Sequence, residues 1–174
     1  MGPIMFMNLS TNAAQQASGM APTAILTESF WVYFVVIGGV GACLSVSILC
    51  CFSKSEMIKT VGRISVLPAF FGISEPATFG LPMMLNPIFF IPCAFVPTIN
   101  ACIAYFCMNT NIIGKTYAML SFNMPSVFGA FLSTGDVKAL LLVVALLILD
   151  MVLYYPFVKM YERQQLKLEN KESK

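Results

Sequence analysis

Histidine is absent from this 174-residue sequence, and charged residues make up only 10% of it. Soluble domains contain roughly 25% charged residues, so the composition excludes an ordinary water-soluble domain. The lack of histidine removes the commonest general base and metal ligand. The six cysteines form no Cys-x-x-Cys pair that would suit a metal or redox site. We therefore expect no metal, no cofactor and no soluble-type catalysis.

Basic residues are also concentrated outside the long apolar stretches of the chain. A nucleic-acid groove needs a basic stripe interleaved with aromatics, so nucleic acid is excluded as a partner. Hydrophobic residues account for 58% of the chain and lie in long uncharged runs, whose natural partner is membrane lipid. The composition therefore predicts an all-α membrane protein.

Three apolar stretches are long enough to cross the bilayer as helices, because a crossing takes about 20 apolar residues. They are residues 30–52, 83–108 and 137–158. Trp31 and Tyr33 lie at the start of the first stretch, where aromatic side chains are typical of a membrane interface. The glycines of this stretch are interpreted as sites of close helix packing; they are Gly38, Gly39 and Gly41.

Residues 64–82 are also apolar, but proline and glycine interrupt them repeatedly. The positions at which we expect structural hinges are Pro68, Gly72, Pro76, Gly80 and Pro82. Proline removes a backbone hydrogen bond and clashes with the preceding turn, so one continuous helix is not expected. Interrupted backbone at membrane depth is stable only where it is buried in protein or lines a watery cavity. We therefore predict a re-entrant hairpin at a translocation site.

Charge bias supports this hairpin independently. Basic residues are concentrated in residues 53–63, interpreted as a short helix in the headgroup region, and again from Lys159 onward, so both segments are predicted to be cytoplasmic. An even number of crossings must separate them, and the second and third apolar stretches already supply two. Residues 64–82 should therefore enter and leave the membrane on one side.

The predicted fold class is thus three transmembrane helices plus a re-entrant hairpin. We expect an extracytoplasmic loop over residues 1–29, a membrane domain over 30–158 and a cytoplasmic tail over 159–174. Residues 109–136 are interpreted as an outer loop that dips into the protein.

Glu75 is the outstanding candidate for binding a ligand, in the sequence Ser74-Glu75-Pro76 of the predicted hairpin. An ionisable group inside the membrane costs at least about 2.5–3.5 kcal/mol on insertion scales, so it needs a partner or a cavity. We expect Glu75 directly before a short helix that begins at Pro76. Its carboxylate would suit the vicinal hydroxyls of a sugar or a cation, and an ion pair with a basic residue elsewhere in a complete protein is the alternative.

Other polar residues in the apolar stretches are less specific. Asp150 is expected to hydrogen-bond a neighbouring helix or face a wet pocket. Asn86 and Asn100 are expected to bridge helices. Phe122 and Asn123 could offer an aromatic face and an amide to a sugar ring, or could simply pack.

Five motifs occur in an order that resembles one known family. They are IGGVGACL at 37–44, SKS at 53–55, PAFFGISEPATFGLPMMLNP at 68–87, NMPSVFGAFLSTG at 123–135 and YYPF at 154–157. In order and spacing, over essentially the whole chain, they resemble the membrane IIC component of the lactose/cellobiose family of the bacterial phosphotransferase system.

The resemblance implies a multi-pass permease of the bacterial plasma membrane. Such a permease takes up a disaccharide of the cellobiose, lactose or chitobiose class and presents it for phosphorylation by the cytoplasmic protein IIB, which IIA charges. Glu75 matches the family's sugar-binding glutamate, and Phe122 falls where the family has a tryptophan that packs on the sugar. Ser74, which we also expect to bind the substrate, replaces an asparagine beside the glutamate and is a departure from the family pattern.

The family's complete permease also has a dimerising N-terminal half and a histidine-bearing GIHG motif, both missing here. We therefore expect a truncated or split chain that works with the rest of the permease and is dimeric when complete. Two alternatives stay open. One is a membrane fragment that only packs against other helices, and the other is a segment of a cation-coupled carrier or channel with Glu75 as ion ligand.

Overall fold

The computed structural model describes residues 2–83, 86–121 and 123–172, with side chains up to residue 169. Within these ranges the chain is helical and has no β-strand, which confirms the all-α class. The elements are α1 (Pro3–Ala17), α2 (Glu28–Phe30), a π-helix (Trp31–Val35), α3 (Cys43–Cys51), α4 (Glu56–Phe70), α5 (Glu75–Gly80), α6 (Pro87–Asn109), α7 (Ser126–Thr134) and α8 (Val137–Glu172). Residues 1–29, predicted to be a loop, therefore contain a helix, α1.

Two of the described helices are long and apolar enough to cross a membrane. They are α6, at Pro87–Asn109, and the Val137–Glu169 part of α8. The side chain of Asn86 caps α6 by accepting a hydrogen bond from Ile88 N at 3.0 Å, and its bridging of helices stays a prediction. The second and third apolar stretches thus form continuous helices, and α8 extends well beyond its predicted end at residue 158.

α6 and α8 pack against each other in antiparallel fashion. Phe89, near the start of α6, lies edge-on to Tyr161, late in α8, with 5.1 Å between ring centroids. Midway along the pair, Asn100 Nδ2 donates a hydrogen bond to Asp150 Oδ2 at 3.0 Å, and both residues are fully buried. This bond confirms that Asp150 contacts a neighbouring helix and that Asn100 bridges helices.

The single helix predicted over residues 30–52 is wrong, because the backbone leaves the helix at 36–42. Four residues of this turn have left-handed φ angles: Gly38 (75°), Gly39 (106°), Gly41 (73°) and Ala42 (54°). Glycine adopts such angles without the steric penalty of a Cβ atom. The glycines interpreted as helix-packing sites therefore interrupt the helix, and they also allow close approach, since a Cβ added to Gly38 would lie 2.9 Å from Ala69 O. That this broken segment crosses the membrane stays a prediction.

α4 and α5 form a helical hairpin joined by a tight turn. Ile73 N donates to Pro68 O at 3.0 Å in this turn. α5 folds back along α4, since a Cβ atom added to Gly80 would lie 2.5 Å from Val61 Cγ1. At 1.5 Å per residue, the six residues of α5 span only about 9 Å, so α5 alone is too short to cross a bilayer.

The first arm of this hairpin is longer than predicted. α4 begins at Glu56 and includes most of the segment interpreted as a separate headgroup helix. Pro68 lies inside α4, two residues before its end, so it does not interrupt the helix as predicted. The other expected hinges lie at the turn before α5, within α5 or just after it: Gly72, Pro76, Gly80 and Pro82. Their action as hinges stays a prediction.

Two hydrophobic clusters form the core, and α6 and α8 run through both. The hairpin-side cluster includes Val46, Ile58, Ala77 and Tyr154. The π-helix-side cluster is built around Phe30, Tyr33, Phe34, Met108, Ala130 and Val143. α7 packs on α8 and on the π-helix in this second cluster, so part of the predicted outer loop does pack into the protein.

Carboxylates of α8 fasten the beginning of the hairpin. Glu162, which is buried, accepts a hydrogen bond from Ser53 Oγ at 2.8 Å and another from Lys54 N, and it pairs with Lys159 Nζ at 2.7 Å. About two turns of helix further on, Glu169 Oε1 accepts from the hydroxyl of Ser55, the N-cap of α4, at 2.6 Å. We name these contacts the Glu162 clasp. The clasp fixes α8 to the start of α4.

Replacing Glu162 with alanine is expected to destabilise the protein by about 2–3 kcal/mol, because hydrogen bonds to a charged acceptor are worth roughly 1.5–3 kcal/mol each. In detergent, the midpoint of thermal unfolding should fall by about 5–10 °C. Glu56→Ala is the matched control, since the Glu56 side chain is 81% exposed and pairs only with Lys59 within the described residues. Equal midpoints for the two variants would show that the clasp contributes nothing.

Candidate functional site

A cavity of about 250 Å³ lies at the tip of the α4–α5 hairpin. Three stretches that are far apart in the sequence line it: residues 31–40, residues 72–75 and residues 124–126. The aliphatic part of the lining comes from valine side chains, and the polar part from Ser74, Glu75 and Ser126. A mostly apolar wall with a few polar groups is typical of small-molecule sites.

Glu75 is exposed at this cavity. Neither of the two ion pairs formed by the described residues includes it. Ser74 is the N-cap of α5 and Glu75 is its first residue, so α5 begins one position earlier than predicted and Pro76 is its second residue. The carboxylate is therefore available to a ligand, on a short helix that points away from the turn.

Ser74 is buried and fixes the tip of the hairpin. Its carbonyl oxygen accepts hydrogen bonds from Thr78 N and from Thr78 Oγ1, both at 2.9 Å. Its Cβ atom lies against Gly39, where an added Cβ would be only 2.6 Å away. The backbone of the left-handed turn at 36–42 thus packs directly against the hairpin tip.

The same turn is tied to the start of α7. Gly38 N donates a hydrogen bond to the hydroxyl of Ser126 at 3.2 Å, and Ser126 is buried. The three lining stretches are therefore connected to one another and not merely adjacent. Ser126 is a site residue without a distinguishing signal in the sequence, because it is a lone serine after a proline.

The two aromatic residues predicted at a membrane interface have different positions. Tyr33 is buried, and its hydroxyl donates to Ser121 O at 2.9 Å, so its side chain packs inside the protein, while its position at a membrane interface stays a prediction. Trp31 is 37% exposed and lines the Glu75 cavity. Sequence analysis did not place Trp31 in the site, although it is the single tryptophan of the chain.

Of the two candidate residues Phe122 and Asn123, only Asn123 lies within the described residues. Asn123 is exposed and does not line the cavity, whereas its chain neighbour Met124 does. Phe122 lies outside the described residues. Of the predicted site residues, the structure therefore brings Ser74 and Glu75 to the cavity. Asn123 is only the chain neighbour of a lining residue, Met124.

The sequence profile of the family described as "Phosphotransferase system, EIIC" matches residues 1–97, which is more than half of the chain. The chain belongs to this family. IIC components of phosphotransferase systems are membrane permeases, and the two long apolar helices of this EIIC chain agree with that class.

Individual EIIC relatives match almost the whole chain. It is 39% identical over 92% of its length to the "PTS system lactose-specific EIICB component" of Streptococcus mutans serotype c. The proteins of the same name from Staphylococcus epidermidis and Lactococcus lactis subsp. lactis are 35% and 36% identical over 98% and 95% of the chain. The chain spans only 29–30% of the length of these relatives.

One solved structure shares the fold. The transporter ChbC, described as the IIC component from the N,N'-diacetylchitobiose-specific phosphotransferase system, superposes with a TM-score of 0.94 at 28% identity. The match covers 98% of this chain and 40% of ChbC. The hairpin, the broken segment before it and the two long helices therefore form an arrangement also found in a solved IIC transporter.

Proposed function

We propose that the chain is the substrate-binding part of a sugar permease, the IIC component of a lactose/cellobiose-type phosphotransferase system. The observation on which this proposal depends is the exposed carboxylate of Glu75 at the hairpin-tip cavity of an EIIC chain. The names of its relatives, which refer to lactose and to N,N'-diacetylchitobiose, support a disaccharide as the substrate.

In this proposal Glu75 accepts hydrogen bonds from two adjacent sugar hydroxyls. Charge-assisted hydrogen bonds of this kind are about twice as strong as neutral ones, and a carboxylate can accept two in one plane. The valines of the cavity contact the apolar faces of the sugar. Ser74, which lines the cavity beside Glu75, also contacts the sugar. Asn123, which does not line the cavity, and Phe122, which lies outside the described residues, stay predicted contacts that would offer an amide and an aromatic face.

The remaining parts of the proposal concern the whole permease. The chain lies in the bacterial plasma membrane as three crossings and a re-entrant hairpin, with α8 leading into the cytoplasm. It assembles with the rest of the permease, which is dimeric. The sugar enters from outside and leaves toward the cytoplasm, where IIB, charged by IIA, phosphorylates it. Phosphoryl transfer thus belongs to the partner proteins.

Sugar binding tests this proposal. The chain is expressed together with the coding sequence immediately upstream of it, and membranes are titrated with radiolabelled cellobiose, lactose and chitobiose. We expect saturable binding of at least one of the three, unaffected by changing the cation in the buffer. Folded protein that binds none of them would remove the sugar assignment. Binding of a cation without any sugar would favour the carrier or channel segment instead.

A further inference from the structure

Trp31 lines the cavity and is far more exposed than the aromatic residues around it. It is the first residue of the π-helix and is 37% exposed, whereas Phe30, Tyr33 and Phe34 of the same segment are at most 1% exposed. The Phe30 and Phe34 rings stack on each other at 6.3 Å between centroids. These three neighbours therefore hold the segment in the core, and Trp31 is left facing open space.

The buried neighbours also fix the direction of the Trp31 side chain. Tyr33 donates to Ser121 O at 2.9 Å, and its ring lies so close to Gly129 that an added Cβ would be 2.2 Å from Tyr33 Cε1. The segment cannot rotate without breaking this contact with α7. Trp31 is consequently held on the side of the cavity before any ligand arrives, and preorganisation of this kind lowers the entropic cost of binding.

The π-helix contributes to the shape of this wall. Val36 N donates to Trp31 O at 3.1 Å, which is the wide i to i+5 bond of a π-helix. Trp31, Val36 and Val40 line the Glu75 cavity, and they also line a second, apolar cavity of about 440 Å³ against α6. Trp31 thus forms part of the partition between the two cavities. Single π turns are frequently found at functional sites.

We propose that Trp31 is an aromatic platform that stacks on a ring of the sugar whose hydroxyls Glu75 binds; this inference rests on the proposed function. A pyranose has an apolar C–H face and a rim of hydroxyls. An indole has an apolar face and one N–H donor, so it is complementary to both parts. Glu75 supplies the acceptor that Trp31 lacks. Glu75 thus binds the hydroxyl rim of a sugar ring, and Trp31 stacks on the apolar face of the same ring.

Substitutions at Trp31 test this role in the preparation described above, using whichever of the three labelled disaccharides binds. Trp31→Leu keeps much of the apolar volume but has neither a π face nor a donor, and its Kd is expected to rise about tenfold or more. Trp31→Phe restores the face and should come within about threefold of the wild type. Phe52→Leu, at an aromatic residue that is 80% exposed and lies outside the cavity, should leave the Kd unchanged.

Two controls separate the possible failures. If the wild type binds sugar and folded Trp31→Leu binds it equally well, the platform is refuted while the proposed function stands. If the wild type binds none of the three sugars, the proposed function and the platform both fall.

Should Trp31→Leu not fold, oxidation of wild-type Trp31 by N-bromosuccinimide is followed by peptide mass spectrometry. Saturating sugar is expected to slow this oxidation several-fold, and an unchanged rate would overturn the platform.

Discussion

Replacing Glu75 with glutamine is expected to raise the Kd of the bound disaccharide by about 10- to 100-fold. The amide keeps the size of the side chain but replaces one acceptor oxygen with a donor and removes the charge. Hydrogen bonds to a charged group contribute about 1.5–3 kcal/mol, and each 1.4 kcal/mol is a factor of ten in affinity. The fold should be unaffected, because Glu75 is exposed and belongs to neither of the ion pairs of the described residues.

The matched control for this variant is Glu56→Gln. Glu56 is also an exposed glutamate in the first turn of a hairpin helix, but it lies at the start of α4 and does not line the cavity. Equilibrium binding of the labelled sugar to membranes measures both variants. If Glu75→Gln binds as tightly as Glu56→Gln, the carboxylate does not contact the sugar. If instead affinity for a cation is lost while sugar binding persists, Glu75 is an ion ligand.

The parts of this fold that sequence analysis predicted correctly depend on local signals. The second and third apolar stretches are each long enough to predict a membrane-spanning helix, and both form continuous helices. The turn between α4 and α5 follows from Gly72, whose φ is 79°. Asp150 was expected to bond a neighbouring helix, because a buried acidic group in an apolar helix needs a polar partner, and Asn100 supplies it.

The parts that were predicted wrongly depend on backbone angles that composition does not reveal. Glycines that allow close helix packing and glycines that end a helix look identical in sequence, so residues 36–42 were assigned to a helix. Pro68 is predicted to break α4, but the helix continues to Phe70, so the loss of one backbone hydrogen bond at this proline does not end it.

The cavity itself could not have been predicted from periodicity. Its lining comes from residues 31–40, 72–75 and 124–126, and nothing local relates these stretches. Trp31 begins an apolar run, which made a membrane interface the natural interpretation. Only the packing of Tyr33 against α7 shows that the first stretch faces the protein on one side and the cavity on the other.

Gly39→Ala is expected to destabilise the hairpin tip strongly, because the added methyl group meets both backbone strain and a steric clash. The φ of Gly39 is 106°, a conformation that costs an L-residue of order 1–3 kcal/mol. The added Cβ would also lie 2.6 Å from Ser74 Cβ and 3.1 Å from the Gly72 carbonyl oxygen, and overpacking of this kind costs about 1–3 kcal/mol more. We expect the midpoint of thermal unfolding to fall and sugar binding to be lost, because the hairpin tip that presents Glu75 must move away.

A double-mutant cycle distinguishes the steric clash from the strained backbone. Ser74→Gly removes the two nearest atoms of the clash, at 2.6 and 3.0 Å, but leaves the φ of residue 39 unchanged. The pair Gly39→Ala with Ser74→Gly should therefore recover part of the stability lost in Gly39→Ala alone, and the unrecovered part measures the backbone strain together with the remaining 3.1 Å contact with the Gly72 carbonyl oxygen. Gly2→Ala, at a glycine with negative φ and open space around it, controls for the added methyl group. A Gly39→Ala protein that unfolds and binds sugar like the Gly2→Ala control would mean that the left-handed turn does not position the hairpin tip.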